Sequence, residues 1–277
     1  MGIIQTGIKF TGKLFTPAAN AYVRPLCKRQ IQTLETLGLE FKRPICNVKE
    51  IKLNEKMFEF LPWKRNTCIE LPQTGKPPMY TQETREATEL FVQKGRIERP
   101  LPNGFRIAYG PYRFNGDGTL SPVIANGGEI LYFDKDSKLL KLMTKQLKKI
   151  FSENPGITEE QKAEVLHKFV ASCYDRSRYS YLFRLSHDFI PIENTAASGI
   201  GVCRHKSFLA KALGDNLGLD VAMVRGWYTT DTELGIVDSH IWNEVKIGNK
   251  KFLMDIEQNR FEDLNKFTKF SDLYSYH

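Results

Sequence analysis

SGIGVCRHKSFLAKALGDNLG, residues 198–218, is the stretch that decides the fold of this chain. Apolar residues at positions 208, 209, 212, 213 and 217 recur at helical spacing, and Gly218 is a suitable stop, so a helix is predicted after the Gly-x-Gly entry at 199–201. Cys203 stands at the start of that helix. The N-terminus of a helix stabilises negative charge, which favours a thiolate over a thiol.

A predicted antiparallel hairpin follows this helix. Residues 220–229 form a predicted strand, residues 239–247 alternate like another, Gly248-Asn249 supply a turn, and residues 250–255 return as the partner strand. His240 therefore opens one arm and Asp255 ends the other. Because the start of one antiparallel strand lies beside the end of its partner, His240 and Asp255 are predicted to be neighbours.

Cys203, His240 and Asp255, in this order, predict a catalytic triad. An imidazole beside a thiol activates it as a nucleophile, and a carboxylate beside the imidazole fixes its tautomer and steadies the imidazolium. Each residue taken alone has a plainer explanation, a packed thiol or a salt-bridged histidine. The three together, on a helix start, a strand and a paired strand, favour nucleophilic chemistry over that alternative.

The chain resembles the transglutaminase-like core of the papain-like fold. The resemblance is carried by Gly-x-Cys-Arg-His-Lys at 201–206, Val-Arg-Gly at 224–226, His-x-Trp-Asn-Glu-Val at 240–245 and the strand ending in Asp255. It covers residues 135–265, roughly half of the chain. The cysteine segment is most similar to the version of this domain found before plant Raf-like kinases.

This resemblance implies an α+β fold, with a helical layer carrying Cys203 packed on an antiparallel sheet carrying His240 and Asp255. By matching position, Cys203 is the expected nucleophile, His240 the base and Asp255 the orienting acid. The family's further oxyanion-hole side chain has no clear match in the sequence, and Asn194 is the candidate for it.

Two aromatic residues are further candidates for the substrate side of the site. Residues 175–199 precede the nucleophile and contain several aromatic groups, among them Tyr181, that would line an acyl-substrate groove. Trp242 falls on the same strand face as His240 and would wall the site against water. Ordinary core packing explains either residue equally well.

The expected reaction is acyl transfer or hydrolysis at protein or peptide amide groups through an acyl-thioester on Cys203. An amine acceptor would give transglutamination, and water would give deamidation or proteolysis. The alternative is a non-catalytic transglutaminase-like module with a binding or regulatory role, since similar domains accompany kinases.

Upstream segments predict further helices by their N-terminal caps. Ser137 is suited to cap a helix over 138–152, and Thr158-x-x-Gln161 has the pattern of a capping box for the helix after it. Residues 82–95 are predicted to form an amphipathic helix. We divide the chain into an extension at 1–134 and a catalytic core at 135–277.

Cysteine usage argues against a disulfide scaffold. The five cysteines (27, 46, 68, 173 and 203) are spread singly, without the Cys-x-x-Cys pairs of common zinc sites, so neither a metal nor a cofactor is expected. No apolar stretch approaches the roughly 20 residues needed to span a bilayer, so a transmembrane segment is not expected.

Positive charge is concentrated near the N-terminus. The chain carries +8 overall, and residues 1–66 contain twelve Lys or Arg against five Glu. This region predicts binding to an acidic partner or an anionic membrane surface, whereas specific nucleic-acid binding is not expected. The plainer interpretation is a solvated basic face, because the charges are interleaved with apolar residues.

A cytoplasmic location is predicted, because polar residues such as Gln5 and Lys9 interrupt any apolar region of a secretory signal. Met1-Gly2 also fits the loose pattern for N-myristoylation at Gly2. That modification and export by a specialised secretion system stay open.

Overall fold

The computed structural model describes residues 77–109, 112–114, 120–122, 129–174, 189–199 and 201–277. The helices in these residues are α1 (Gln82–Lys94), α2 (Lys138–Ser152), α3 (Glu159–Ser172), α4 (Ile192–Ser198), α5 (Cys203–Leu217) and α6 (Phe270–Leu273). The strands are β1 (Arg96–Ile97), β2 (Arg106–Tyr109), β3 (Tyr112–Phe114), β4 (Leu120–Pro122), β5 (Glu129–Tyr132), β6 (Phe189–Pro191), β7 (Asp220–Asp231), β8 (Ile236–Ile247), β9 (Lys250–Asp255), β10 (Arg260–Asp263) and β11 (Tyr274–Tyr276).

The predicted helix starts are confirmed at the level of single hydrogen bonds. Ser137 Oγ accepts from the Leu140 amide at 3.3 Å, at the start of α2. At α3 the Thr158 amide donates to Gln161 Oε1 at 2.8 Å, and the Gln161 amide donates to Thr158 Oγ1 at 3.2 Å. These bonds satisfy amides that have no partner inside the helix, which is why such short patterns mark helix ends reliably.

Helix α5 is the central helix of the described residues. It begins at Cys203 and ends at Leu217, and Gly218 takes the left-handed conformation (φ 73°) that closes it, as predicted. Every residue from His205 to Gly214 is buried. The apolar side packs in one core with α1, α2, α3 and the sheet, where Phe208 meets Phe105 edge to face at 5.4 Å between ring centroids.

The main sheet is antiparallel and holds the predicted hairpin. Its strand order is β1-β7-β8-β9-β10, and β11 pairs with β7 as well. In the β7–β8 pair, Gly226 lies opposite His240, and in the β8–β9 pair Asn243 lies opposite Met254. A helical layer on an antiparallel sheet is the α+β architecture predicted from the sequence, which is confirmed.

Part of the predicted extension joins this core. Strand β1 pairs with β7, and Phe91 and Phe105 lie in the same cluster as Phe208. A second sheet, of order β2-β5-β6, and the β3–β4 pair complete the described strands. The division at residue 134 stays a prediction. The basic region at 1–66 and the Gly2 site lie outside the described residues.

Across the described residues, the helices are all too short or too polar to cross a bilayer.

Candidate active site

Cys203 is the first residue of α5 and is half-buried. The preceding Val202 has no side-chain acceptor with which to cap the helix. Instead, its amide donates to Nδ1 of His205 at 3.0 Å. Val202 therefore supplies no side-chain oxygen to this helix N-terminus, whose positive dipole end favours negative charge on the Cys203 sulfur.

His240 and Asp255 meet as predicted. His240 Nε2 donates to Asp255 Oδ2 at 2.6 Å, and the two residues are 5% and 0% exposed, respectively. Asp255 Oδ2 also accepts from Tyr274 Oη at 2.8 Å, and Oδ1 accepts from the Gln258 amide at 3.1 Å. On the helix side, His167 Nε2 lies 3.4 Å from the Asp255 backbone oxygen. This carboxylate is thus held by donors from several elements.

The electrostatics of the three residues are coupled. Burial favours a protonated Asp255, but the hydrogen bonds and charge of His240, with those of Tyr274 and the Gln258 amide, outweigh it and lower the pKa of Asp255. Burial alone would lower the pKa of His240, but hydrogen bonds and charge from Asp255 and Cys203 raise it to about 10. His240 is therefore an imidazolium at neutral pH when Cys203 is a thiolate. Since Nε2 is occupied by Asp255, Nδ1 is left for the hydrogen bond with Cys203.

Two hydrogen bonds fix α5 on β8, the strand that carries His240. Ser207 Oγ, one turn after Cys203, donates to the backbone oxygen of Ile241 at 2.8 Å. Asn243 Nδ2 donates to the backbone oxygen of Ser207 at 3.0 Å. Because Ile241 adjoins His240, these bonds set the spacing between α5 and β8 at the point where the thiol and the imidazole meet.

A partly buried ion pair ties α5 to the turn after β9. Lys206 Nζ lies 2.7 Å from Glu257 Oε2, and the Lys206 side chain is 3% exposed. Glu257 follows Asp255 by two residues, and Lys206 follows Cys203 by three. The pair therefore holds the end of β9, which carries Asp255, against the first turn of α5, which begins at Cys203.

The glycine before the nucleophile has a packing reason. A Cβ on Gly201 would lie 2.5 Å from the Tyr174 ring. Tyr174 Oη in turn lies 2.7 Å from Thr195 Oγ1 on α4. The chain can only pass this ring without a side chain at 201, so the Gly-x-Cys pattern reflects close packing of the entry segment.

Aromatic rings cover the side of His240 away from solvent. Trp242 is fully buried and stacks on the His240 ring at 6.1 Å between centroids, and Tyr228 lies at 5.4 Å. A Cβ on Gly226 would lie 2.7 Å from the Trp242 ring and 2.0 Å from the backbone oxygen of Ser275. The glycine of the Val-Arg-Gly motif thus lets both groups approach β7.

The substrate-side candidates are placed differently. Trp242 contacts His240 but has no exposed surface, so it backs the imidazole. Asn194 is buried on α4 at 8% exposure, and its assignment to an oxyanion hole stays a prediction. Tyr181 lies outside the described residues.

Sequence reasoning missed the residues that support the His240–Asp255 pair from distant parts of the chain. Tyr274, His167 and the Lys206–Glu257 pair are examples. The alternation of Tyr274 and Tyr276 signals a short strand, but nothing local indicates that it pairs with β7. His167 lies within a helix, 88 residues from its partner. His205, which follows Cys203 by two residues, is fully buried.

Within the described ranges, no group of three or more His, Cys, Asp or Glu side chains lies close enough together to hold a metal ion.

Comparisons with known proteins place part of this chain in a family. No curated protein matches the chain. A crystal structure of a "putative cysteine protease" from Cytophaga hutchinsonii matches 46% of this chain and 40% of its own length, at 20% identity and a TM-score of 0.32. The sequence model of the transglutaminase-like superfamily matches residues 148–256, inside the region of predicted resemblance and containing Cys203, His240 and Asp255. Residues 148–256 are therefore the part of this chain that matches the transglutaminase-like superfamily.

Proposed function

We propose that this protein is a cysteine-dependent enzyme that acts on amide groups of proteins or peptides through an acyl-thioester on Cys203. The observation that carries the proposal is the position of the His240 ring. It donates through Nε2 to the buried Asp255, and the half-buried Cys203 is the second group that raises the pKa of His240. The exposed fraction decreases from Cys203 through His240 to Asp255. This is the order expected for a nucleophile that meets substrate, a base beside it and an orienting acid behind the base.

In the first half of the reaction, the Cys203 thiolate attacks the carbonyl carbon of the amide. The developing oxyanion lies near the Cys203 backbone amide, which has no partner inside its helix because it belongs to the first turn. The His240 imidazolium then gives its proton to the leaving nitrogen as the carbon–nitrogen bond breaks. The products are ammonia or an amine and an acyl-thioester on Cys203.

In the second half, neutral His240 takes a proton from the acceptor as that acceptor attacks the thioester carbonyl. Water releases a carboxylic acid, which is deamidation or proteolysis, and an amine releases a new amide, which is transglutamination. Asp255 keeps the imidazole in the tautomer with a proton on Nε2, so that Nδ1 alone exchanges the proton. Which acceptor is used depends on what reaches the thioester.

The first test is the reactivity of Cys203 towards iodoacetamide near neutral pH. Cys203 is expected to alkylate faster than the other four cysteines, measured by mass spectrometry of peptides from the folded protein. The matched control is His240→Gln, which keeps a polar side chain but removes the base. Equal reactivity of Cys203 in the two proteins would refute the proposed nucleophile.

The second test identifies the reaction. Candidate glutamine-containing peptides are incubated with and without a primary amine, and their masses are followed. Deamidation, peptide-bond hydrolysis and amine addition give different products, and Cys203→Ala is the blank for each. A reactive Cys203 that yields none of these products on a broad peptide library would favour the alternative, a non-catalytic regulatory module.

A further inference from the structure

Two tyrosines of β11 donate hydrogen bonds to two buried carboxylates of the main sheet. Tyr274 Oη donates to Asp255 Oδ2 at 2.8 Å, and Tyr276 Oη donates to Glu244 Oε1 at 2.8 Å. Asp255 is 0% exposed and Glu244 is 3% exposed. The two bonds are alike in donor, length and acceptor, but only the bond from Tyr274 ends on the carboxylate that holds His240.

We infer that Tyr274 is a positioning residue of the proposed active site, which fixes the Asp255 carboxylate so that its Oδ2 faces the His240 ring. The inference rests on the proposed function. Oδ2 receives both His240 and Tyr274, while Oδ1 receives the Gln258 amide. Rotation of the carboxylate group would break these bonds together, so the acceptor oxygen has one stable orientation.

The ring of Tyr274 is packed against aromatic rings on two sides. Strand pairing places Tyr274 opposite Tyr228, and the two rings meet at 5.0 Å between centroids. On another side Phe270 stacks on the Tyr274 ring at 5.1 Å. Tyr274 is 3% exposed. A phenylalanine would fill this apolar space equally well, so the hydroxyl is explained by its bond to Asp255 and not by packing.

The charges around this bond keep the tyrosine a donor. Burial, followed by the negative charge of Asp255, raises the pKa of Tyr274 well above its usual range, so its proton stays on the oxygen. The titratable groups that face the pair are His240 and His167 at Asp255, and Tyr228 and Arg260 at Tyr274. His167 is neutral at working pH, because burial lowers its pKa to about 4.

The bond has a consequence for pH dependence. The hydrogen bond from Tyr274 is one of the contributions that lower the pKa of Asp255. Its removal therefore raises that pKa. Protonation of Asp255 removes the negative charge that stabilises the His240 imidazolium. Without the Tyr274 hydroxyl, the fall in Cys203 reactivity on the acid side of the rate–pH profile is therefore expected at a higher pH than in the wild type.

The experiment compares Tyr274→Phe with Tyr276→Phe, which makes the same chemical change two residues away on the same strand. The readout is the rate constant for alkylation of Cys203 by iodoacetamide across pH, with thermal unfolding measured in parallel. Tyr274→Phe is expected to lower the rate near neutral pH about tenfold, as for loss of a hydrogen bond to a charged group, and to move the acid limb to higher pH. Tyr276→Phe is expected to leave both unchanged.

If Tyr274→Phe does not fold, 3-fluorotyrosine at position 274 gives a second measurement. Its more acidic hydroxyl is a stronger donor, so the acid limb should move to lower pH. Each of three results would overturn the inference. The first is a pH profile of Tyr274→Phe that matches the wild type, and the second is an equal loss of rate in both phenylalanine variants. The third is an acid limb of the rate–pH profile that does not move with fluorotyrosine. Failure of the proposed function is seen separately, as a wild-type Cys203 that reacts no faster than in His240→Gln.

Discussion

Substitution of Asp255 by Asn tests whether the carboxylate's charge controls the thiol. The change keeps the size of the side chain and leaves an oxygen to accept one hydrogen bond, but it removes the negative charge beside His240. The pKa of His240, raised to about 10 by Asp255 and Cys203, should then fall, because burial alone lowers it. Between about pH 6.5 and that value, His240 would then lose the positive charge that favours a thiolate beside it.

The size of the effect follows from the same shift. A rise from 6.5 to about 10 corresponds to about 5 kcal/mol in favour of the imidazolium, which Asp255 and Cys203 supply together. A hydrogen bond to a charged group contributes about 1.5–3 kcal/mol, so Asp255→Asn should slow alkylation of Cys203 by roughly 10-fold to 150-fold near neutral pH. At strongly alkaline pH, where a thiolate forms without the histidine, the two proteins should react alike.

Stability gives an independent readout of the same pair. Because the folded pKa of His240 lies above its unfolded value of 6.5, its stabilisation is fully present below about pH 6.5 and is lost as the pH rises through about 10. Urea unfolding of the wild type should show this decline, and Asp255→Asn should flatten it.

The matched control for these measurements is Glu244→Gln, which neutralises another buried carboxylate of the sheet, bonded to Arg96 at 2.8 Å and not to His240. If Asp255→Asn alkylates at the wild-type rate near neutral pH, or if Glu244→Gln slows it equally, the reasoning about Asp255 is refuted.

Three further outcomes are expected. Burial raises the pKa of Glu193 to about 7, so the wild type should lose about 3 kcal/mol of stability as the pH rises from about 4.5 to 7, and Glu193→Gln should remove that loss in urea unfolding at several pH values. Gly226→Ala should cost at least about 1–3 kcal/mol in thermal unfolding, because its Cβ would lie 2.0 Å from the backbone oxygen of Ser275 and 2.7 Å from the Trp242 ring; an unchanged transition would contradict the close approach. Removal of residues 1–66 should leave Cys203 reactive and weaken salt-sensitive binding to anionic vesicles; loss of the cooperative unfolding transition would instead assign this region to the core.

The helix starts and the hairpin could be predicted because their signals are local. A cap joins residues three positions apart, as Thr158 and Gln161 show, and the turn at Gly248 sets which residues of β8 and β9 face each other. The pairing set by that turn ends at Asn243 and Met254, which brings His240 and Asp255 near each other on the two strands. The placement of the three candidate catalytic residues on a helix start, a strand and its paired strand could likewise be predicted from local patterns.

The supports of the site could not be predicted, because they join residues far apart in the chain. Tyr274 reaches Asp255 only because β11 pairs with β7 beside β1, and no local pattern specifies that choice of partner. His167 meets the Asp255 backbone only because α3 packs beside the sheet. Such contacts depend on how all the apolar faces are buried together.

Sequence alone therefore determined these elements and supplied the three candidate reactive groups, through helical spacing, caps and one tight turn. The tertiary structure decided how firmly those groups are held. Three sets of contacts join separate elements: the buried donors around Asp255, the bonds between Ser207 and β8, and the Lys206–Glu257 pair. They form only when the helices close on the sheet, because a buried polar group must then find its partner within the protein.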